Sequence, residues 1–209
     1  MPKGVEVQVL SHPPAMIEQL FSQKLTEPEN GLGGLEMRRG LDLELALQLI
    51  NKSWESEIYA SCPNDADKRF KDLGSLEEWL SRERQVYPLV DEQSQDLGGI
   101  IWHGPKPFPK AEFGPQAAQD TFAIRLYKGY RGRGLAEPFM KNCLWDYVTT
   151  VVENGRAGYF HGIWLSSRLD RKGAQVLFRR FGYQEIGRDS EEVFMLLSPE
   201  KIRQIIGGA

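Results

Sequence analysis

Residues 127–134 place three glycines among three cations, Lys128, Arg131 and Arg133. Before them, residues 121–126 alternate and are rich in strand formers. After them, apolar residues recur at helical spacing: Ala136, Phe139, Met140, Cys143, Leu144, Tyr147 and Val151. A strand, a glycine-rich turn and a helix in that order leave backbone N–H groups pointing out of the helix N-terminus. Those donors and the helix dipole favour an anion, most often a phosphate. The three cations add charge to the same corner.

Three glycine-rich signatures compete for this turn. A phosphate-binding P-loop needs a Gly-Lys-[Ser/Thr] ending, but Gly134 is followed by Leu135 and Ala136. The dinucleotide fingerprint fits poorly, because Gly132-x-Gly134 leads to Glu137 where a third glycine is required. The pattern [QR]-x-x-G-x-[GA] is satisfied by Arg131, Gly134 and Ala136. By itself it also fits a bland Gly/Arg-rich surface turn.

A second motif follows in order. Ala174, Leu177, Phe178, Gly182 and Tyr183 match most of N-x-x-A-x-x-L-Y-x-x-x-G-[FY]. With both motifs the chain resembles the GNAT acyltransferase superfamily over roughly residues 35–198, most strongly over 120–183. The resemblance implies a mixed α/β fold: a twisted, mostly antiparallel sheet of about seven strands flanked by helices. It implies an N-acyltransferase that moves an acetyl or other acyl group from acetyl-coenzyme A (acetyl-CoA), with no metal, to a primary amine of a small molecule or peptide. The pyrophosphate would sit on the backbone of Arg131, Gly132, Arg133, Gly134, Leu135 and Ala136. The pantetheine arm would run beside Ile124, Arg125 and Leu126. Asp120 stands eleven residues before Arg131, where acidic members of the family carry the general base; being shorter than Glu, it suits a water relay. The sequence departs from the family at two places. The usual general-acid Tyr is Phe178, leaving Tyr183, Ser166 or Ser167 as substitutes, or a thiolate that leaves unaided. The usual Asn is Arg171, which has the reach to contact the cofactor's phosphates. These departures keep a second reading open, a non-catalytic acyl-CoA binding or sensing module. A third, independent of the resemblance, is a binder of ATP or NAD without acyl chemistry.

The chain of 209 residues suits one good core, and 41% hydrophobic with 26% charged residues is ordinary for a globular protein. A net charge of −3 argues against general nucleic-acid binding. Apolar runs are too short to span a bilayer. The first residues carry no long apolar stretch, and Cys62 and Cys143 form no framework, so the expected setting is a reducing cytoplasm. Three scattered histidines without metal-ligand spacing predict no metal site.

These residues need elements to hold them. Residues 1–34 read as an arm, with a short strand at 5–10 and a helix started by Pro13-Pro14 and running to about Leu25, packing on the domain or on a second copy as a homodimer. The acyltransferase-like domain is 35–198, and 199–209 a short terminal helix and tail. Strands are expected at 35–39, 85–91, 97–103, 121–126, 162–167 and 192–197, and a helix at 41–54 with Asp42 in its first turn. Ser75 and Glu78 read as a capping box ahead of Trp79. Trp54, Tyr59 and Trp79 line an acceptor pocket or anchor a helix pair. The seventeen-residue stretch 103–119 is either a flap or a loop tacked down by Phe108 and Phe113. Asp189, Glu191 and Glu192 either attract a cationic amine or form a solvated turn.

Overall fold

A computed structural model describes residues 32, 34–113, 120–153 and 161–207. The strand and helix expected within 1–31 lie outside them. Element order is β1 (Leu35–Met37), α1 (Leu43–Ser53), α2 (Ser56–Ser61), a π-helical turn (Asp65–Arg69), α3 (Leu73–Leu80), β2 (Gln85–Asp91) and β3 (Leu97–Pro105). A 3-10 turn (Ala111–Phe113), β4 (Asp120–Leu126), α4 (Ala136–Glu153), β5 (Ile163–Arg168), α5 (Lys172–Phe181), β6 (Gln184–Arg188), β7 (Glu192–Leu197) and α6 (Pro199–Ile206) complete it. The strands make one seven-stranded sheet in the order β1-β2-β3-β4-β5-β7-β6. Every pairing is antiparallel except β4 with β5.

Strand alternation divides the core between the two faces. Tyr87, Leu89, Ile101, Phe122, Ile163, Leu165, Val193 and Met195 pack under α4, α5 and α6. On the opposite face Val86, Val90, Ile100 and Trp102 pack under α1 to α3. A separate cluster of Trp164 and Phe194 lies on that same face, over β5 and β7. The terminal helix is part of the core, because Ile202 and Ile206 are buried in it, and Leu32 packs there too.

Local chemistry sets the element ends. Asp42 is the N-cap of α1, its carboxylate accepting from the Leu45 N–H at 2.8 Å, so it precedes the first turn rather than lying in it. The cap of α3 is Asp72, accepting from the Ser75 N–H at 2.8 Å, not the expected Ser75. The helix starts three residues earlier than expected, so the Ser75 N–H is one of the free donors of its first turn, and its bond to Asp72 holds the Asp72 pKa below its usual value. Gly182, in the left-handed region at φ 117°, ends α5 where a glycine stop was expected. Ser198 caps α6 with Pro199 in its first turn.

Trp79 is a core anchor, edge-on to Phe70 and Trp102. Trp54 and Tyr59 stack on each other at 5.7 Å and stay exposed. The described part of the long connection is tacked down: Phe108 meets Trp164 and Phe194 edge-on, and Phe113 lies against Phe194 and over Gly187.

Candidate active site

The sheet opens at one place. β4 and β5 pair only through Asp120 with Ile163 and Thr121 with Trp164. Beyond those two rows, among the described residues, β5 is held by β7 alone, so the rest of β4 has a free edge toward the gap. The Tyr127 N–H donates to the Gly98 carbonyl at 3.0 Å, on the β3 side. By alternation the polar groups of Ile124 and Leu126 face the gap, whereas Arg125, expected beside them, turns its backbone to β3. The Ile124 carbonyl accepts from Arg125 Nη1 at 2.9 Å, and the Leu126 carbonyl from Arg131 Nε at 2.6 Å. Their N–H groups are the strand's donors to the gap.

The glycine-rich turn closes one end of this gap. Gly132 and Gly134 have φ of 73° and 76°, which glycine adopts without strain, and open space lies where side chains would start. The Phe139 N–H donates to the Leu135 carbonyl as α4 begins, and among the described residues the N–H groups of 131–137 find no backbone acceptor. Pro138 therefore falls where a missing N–H costs nothing, and no kink is needed. The Arg131 side chain braces the turn, pairing with Glu57 of α2 at 2.9 Å. Arg133 lies over the Tyr130 ring at 5.6 Å, and Lys128 is exposed. Arg171 stands at the start of α5, half exposed, with Asp170 at 3.9 Å.

Asp120 lies at the closed end of the gap, 2% exposed. Its carboxylate accepts from the Tyr147 hydroxyl of α4 at 2.5 Å. It therefore faces α4, and reaches a solvent-side amine only through a proton relay. Next to it His103 is stacked on Tyr147 at 4.4 Å and tilted against Phe122, with neither ring nitrogen hydrogen-bonded among the described residues. Burial pushes the His103 pKa down to about 3. Between about pH 6.5 and 3 the unfolded chain therefore holds a proton the folded one refuses, so stability falls as pH falls through that window. The loss is about 2 kcal/mol at pH 5. His103→Phe, which fits an all-aromatic niche, is expected to melt at or above the wild-type temperature at pH 7 and to lose less on going to pH 5. An identical acid shift in both proteins would contradict this.

The opposite face of the sheet at this point is cationic. Asp65, 1% exposed, holds Arg69 at 2.5 Å and Arg125 at 2.9 Å. Both guanidiniums lie over Trp102, with Arg125 at 5.1 Å and Arg69 at 6.0 Å from the ring centroid. Burial, the largest single effect, opposes the Arg125 charge, but Asp65 together with Cys62 and Tyr127 outweighs it and raises the pKa. Asp65→Ala strands a buried cation and should cost about 3 kcal/mol in urea unfolding; a loss within error would mean the pair is dispensable. Lys106 Nζ is 5.0 Å from the Trp164 ring centroid, and Arg84 lies over Gly104. The sequence singled out none of Asp65, Arg69, Arg84 or Lys106.

The possible proton donors separate as follows. Phe178 is buried against Phe122 and Tyr183. Tyr183 is 3% exposed, and burial raises its pKa. Ser167 is buried, whereas Ser166 is exposed and 3.1 Å from a Glu192 carboxylate oxygen. Asp189 caps the N–H groups of Glu191 and Glu192 and pairs with Lys110, so its charge is spent on the turn. Among the described residues no group of three His, Cys, Asp or Glu is placed to hold a metal, and no helix is long and apolar enough to cross a membrane.

A seven-stranded, mostly antiparallel sheet parted between its two parallel strands, with a glycine-rich turn at the parting, is the fold of the GNAT acetyltransferases. Spermidine N-acetyltransferase from Vibrio cholerae, in complex with CoA and spermine, superposes with a TM-score of 0.61 at 18% identity, covering 81% of this chain and 98% of that one. AAC(6')-Ib in complex with paromomycin and acetyl-CoA gives 0.59 at 12% identity over 82% and 97% of the two chains. A GNAT-family acetyltransferase from Bacillus anthracis gives 0.56 at 11% identity over 79% and 95%. No family model and no curated protein matches the sequence.

Proposed function

We propose that the chain is an acyl-CoA-dependent N-acyltransferase, acting with acetyl-CoA on a primary amine. The observation that carries this is the parting of β4 from β5 after two paired rows, next to a turn whose N–H groups lack backbone partners among the described residues. A pantetheine arm is an extended amide chain, and a free strand edge at Ile124 and Leu126 suits it as a neighbouring strand would. A pyrophosphate suits the backbone of Arg131, Gly132, Arg133, Gly134, Leu135 and Ala136. Arg171, half exposed and only loosely paired, is free to reach the phosphates. The solved neighbours named with CoA and acetyl-CoA support the same ligand.

In the reaction the amine nitrogen attacks the thioester carbonyl carbon, the nitrogen loses a proton, the C–S bond breaks and the thiolate takes up a proton. The N–H groups of Ile124 and Leu126 are the donors available to the carbonyl oxygen. Asp120 is the proposed base, acting through a relay because it is buried. With Phe178 and Tyr183 in the core, the thiolate is protonated by solvent or leaves unaided.

The binding-module reading is favoured by one observation, the burial of Asp120 behind Tyr147. Both readings expect acetyl-CoA to bind. Only the enzyme reading expects free thiol that appears in step with added amine, and a matching N-acetylated product by mass spectrometry. Binding without acceptor-dependent release across broad amine and peptide panels would leave the binding module.

A further inference from the structure

We infer that the acceptor amine carries an anionic group, a carboxylate or a phosphate, and that Arg84 binds it. This rests on the acyltransferase reading, and it names the substrate class of that same site. Where β4 and β5 part, the sheet face opposite α4 has Gly104, Thr121 and Trp164 in one row. Arg84 lies across this row, with its Cδ and Nη1 2.9 and 3.1 Å from where a Gly104 side chain would begin. Lys106 holds the Trp164 end, and Arg69 stands over Trp102 one row on.

The charges on this face are unbalanced. Asp65 is shared by Arg69 and Arg125, Glu192 acts on Lys106, and Asp120 acts on Arg84 across the sheet, more weakly than the cations Arg69 and Arg82 do. Among the described residues Arg84 Nε and Nη1 are shut off from solvent and have no hydrogen-bond partner. Unmet buried donors on a partly buried guanidinium are costly, and an incoming anion removes that cost. Nε and Nη1 each form, together with Nη2, an edge that takes a carboxylate or phosphate through two parallel bonds. Burial lowers the pKa of Arg84 and of Lys106, and Arg69 lowers both further, so the three cations share one field. A polycation such as spermine, named with one solved neighbour, would enter against that field.

The test measures thiol release by the full chain saturated with acetyl-CoA, using three acceptor sets. These are free amino acids with their carboxamides, phosphoethanolamine and O-phosphoserine with ethanolamine, and spermidine. The expected result is turnover of an anionic acceptor and loss of it in the neutral counterpart. The amino-acid and phosphate arms show which anion is read. Arg84→Gln should raise KM for that acceptor roughly 10–100-fold, leaving KM for acetyl-CoA unchanged. Better turnover of spermidine or of the amides, or an Arg84→Gln effect equal across all acceptors, overturns the inference. If no acceptor reacts, succinate and inorganic phosphate are titrated calorimetrically into the acetyl-CoA-loaded chain. Binding that Arg84→Gln abolishes supports the site, and no binding to the wild type overturns it. A chain that fails to bind acetyl-CoA defeats the acyltransferase reading, and the same titration on the free chain then judges Arg84 separately.

Discussion

Asp120→Asn is expected to lower acceptor-dependent thiol release by about 100-fold or more, with the fold and acetyl-CoA affinity intact. Asparagine keeps the side-chain shape and an oxygen that accepts from the Tyr147 hydroxyl, which the wild-type carboxylate does at 2.5 Å. Only the charge and basicity are removed. Asp120→Ala is a poorer probe, because it leaves the buried Tyr147 hydroxyl without this acceptor and costs about 1–3 kcal/mol of stability by that route alone. The pH profile separates chemistry from structure. A base in the reaction gives the wild-type rate a low-pH limb that Asp120→Asn lacks. An unchanged rate would make Asp120 a brace between β4 and α4 and nothing more.

The double variant Gly132→Glu/Gly134→Glu is expected to abolish acetyl-CoA binding at micromolar concentrations. Open space lies above both glycines, so the added side chains collide with nothing in the chain. They bring two carboxylates to N–H groups proposed to hold a pyrophosphate. At about 5 Å and an effective dielectric near 20, each like-charge contact costs roughly 3 kcal/mol. That is more than a hundredfold per contact. The positive φ at both sites adds roughly 1–2 kcal/mol per residue for any side chain. Gly132→Ala/Gly134→Ala bears that backbone cost without the charge, and should weaken binding far less. Equal losses in the two double variants would mean that turn geometry, not anion contact, is what the glycines supply.

The parts legible in the sequence are those written in local signals. Strand alternation and helical spacing gave β2, β4, α4 and β7 to within a residue or so, because each carries its own period and turn residues. The cap of α3 was misplaced because Asp72 and Ser75 are both good caps three residues apart, and only geometry decides between them. The turn at 131–136 was readable because its glycines are required by backbone conformation. The cationic face was not. Asp65 and Arg125 are sixty residues apart and meet only once the π-helical turn is packed on the sheet. Arg84 precedes a strand in an ordinary polar stretch, and its importance comes from what the fold leaves around it. The family spacing marked Asp120 as a base acting through water but could not show its surroundings; its side chain alternates onto the α4 face, where its carboxylate accepts from the Tyr147 hydroxyl.

The central claim is that the gap between β4 and β5 receives an acyl-CoA. Calorimetric titration of acetyl-CoA into the wild-type chain, beside ATP and NAD, tests it most directly. The expected result is a one-site isotherm in the micromolar range, about −8 kcal/mol, for acetyl-CoA, with neither nucleotide competing. No heat at millimolar acetyl-CoA, or ATP or NAD binding as tightly to the same turn, would contradict it.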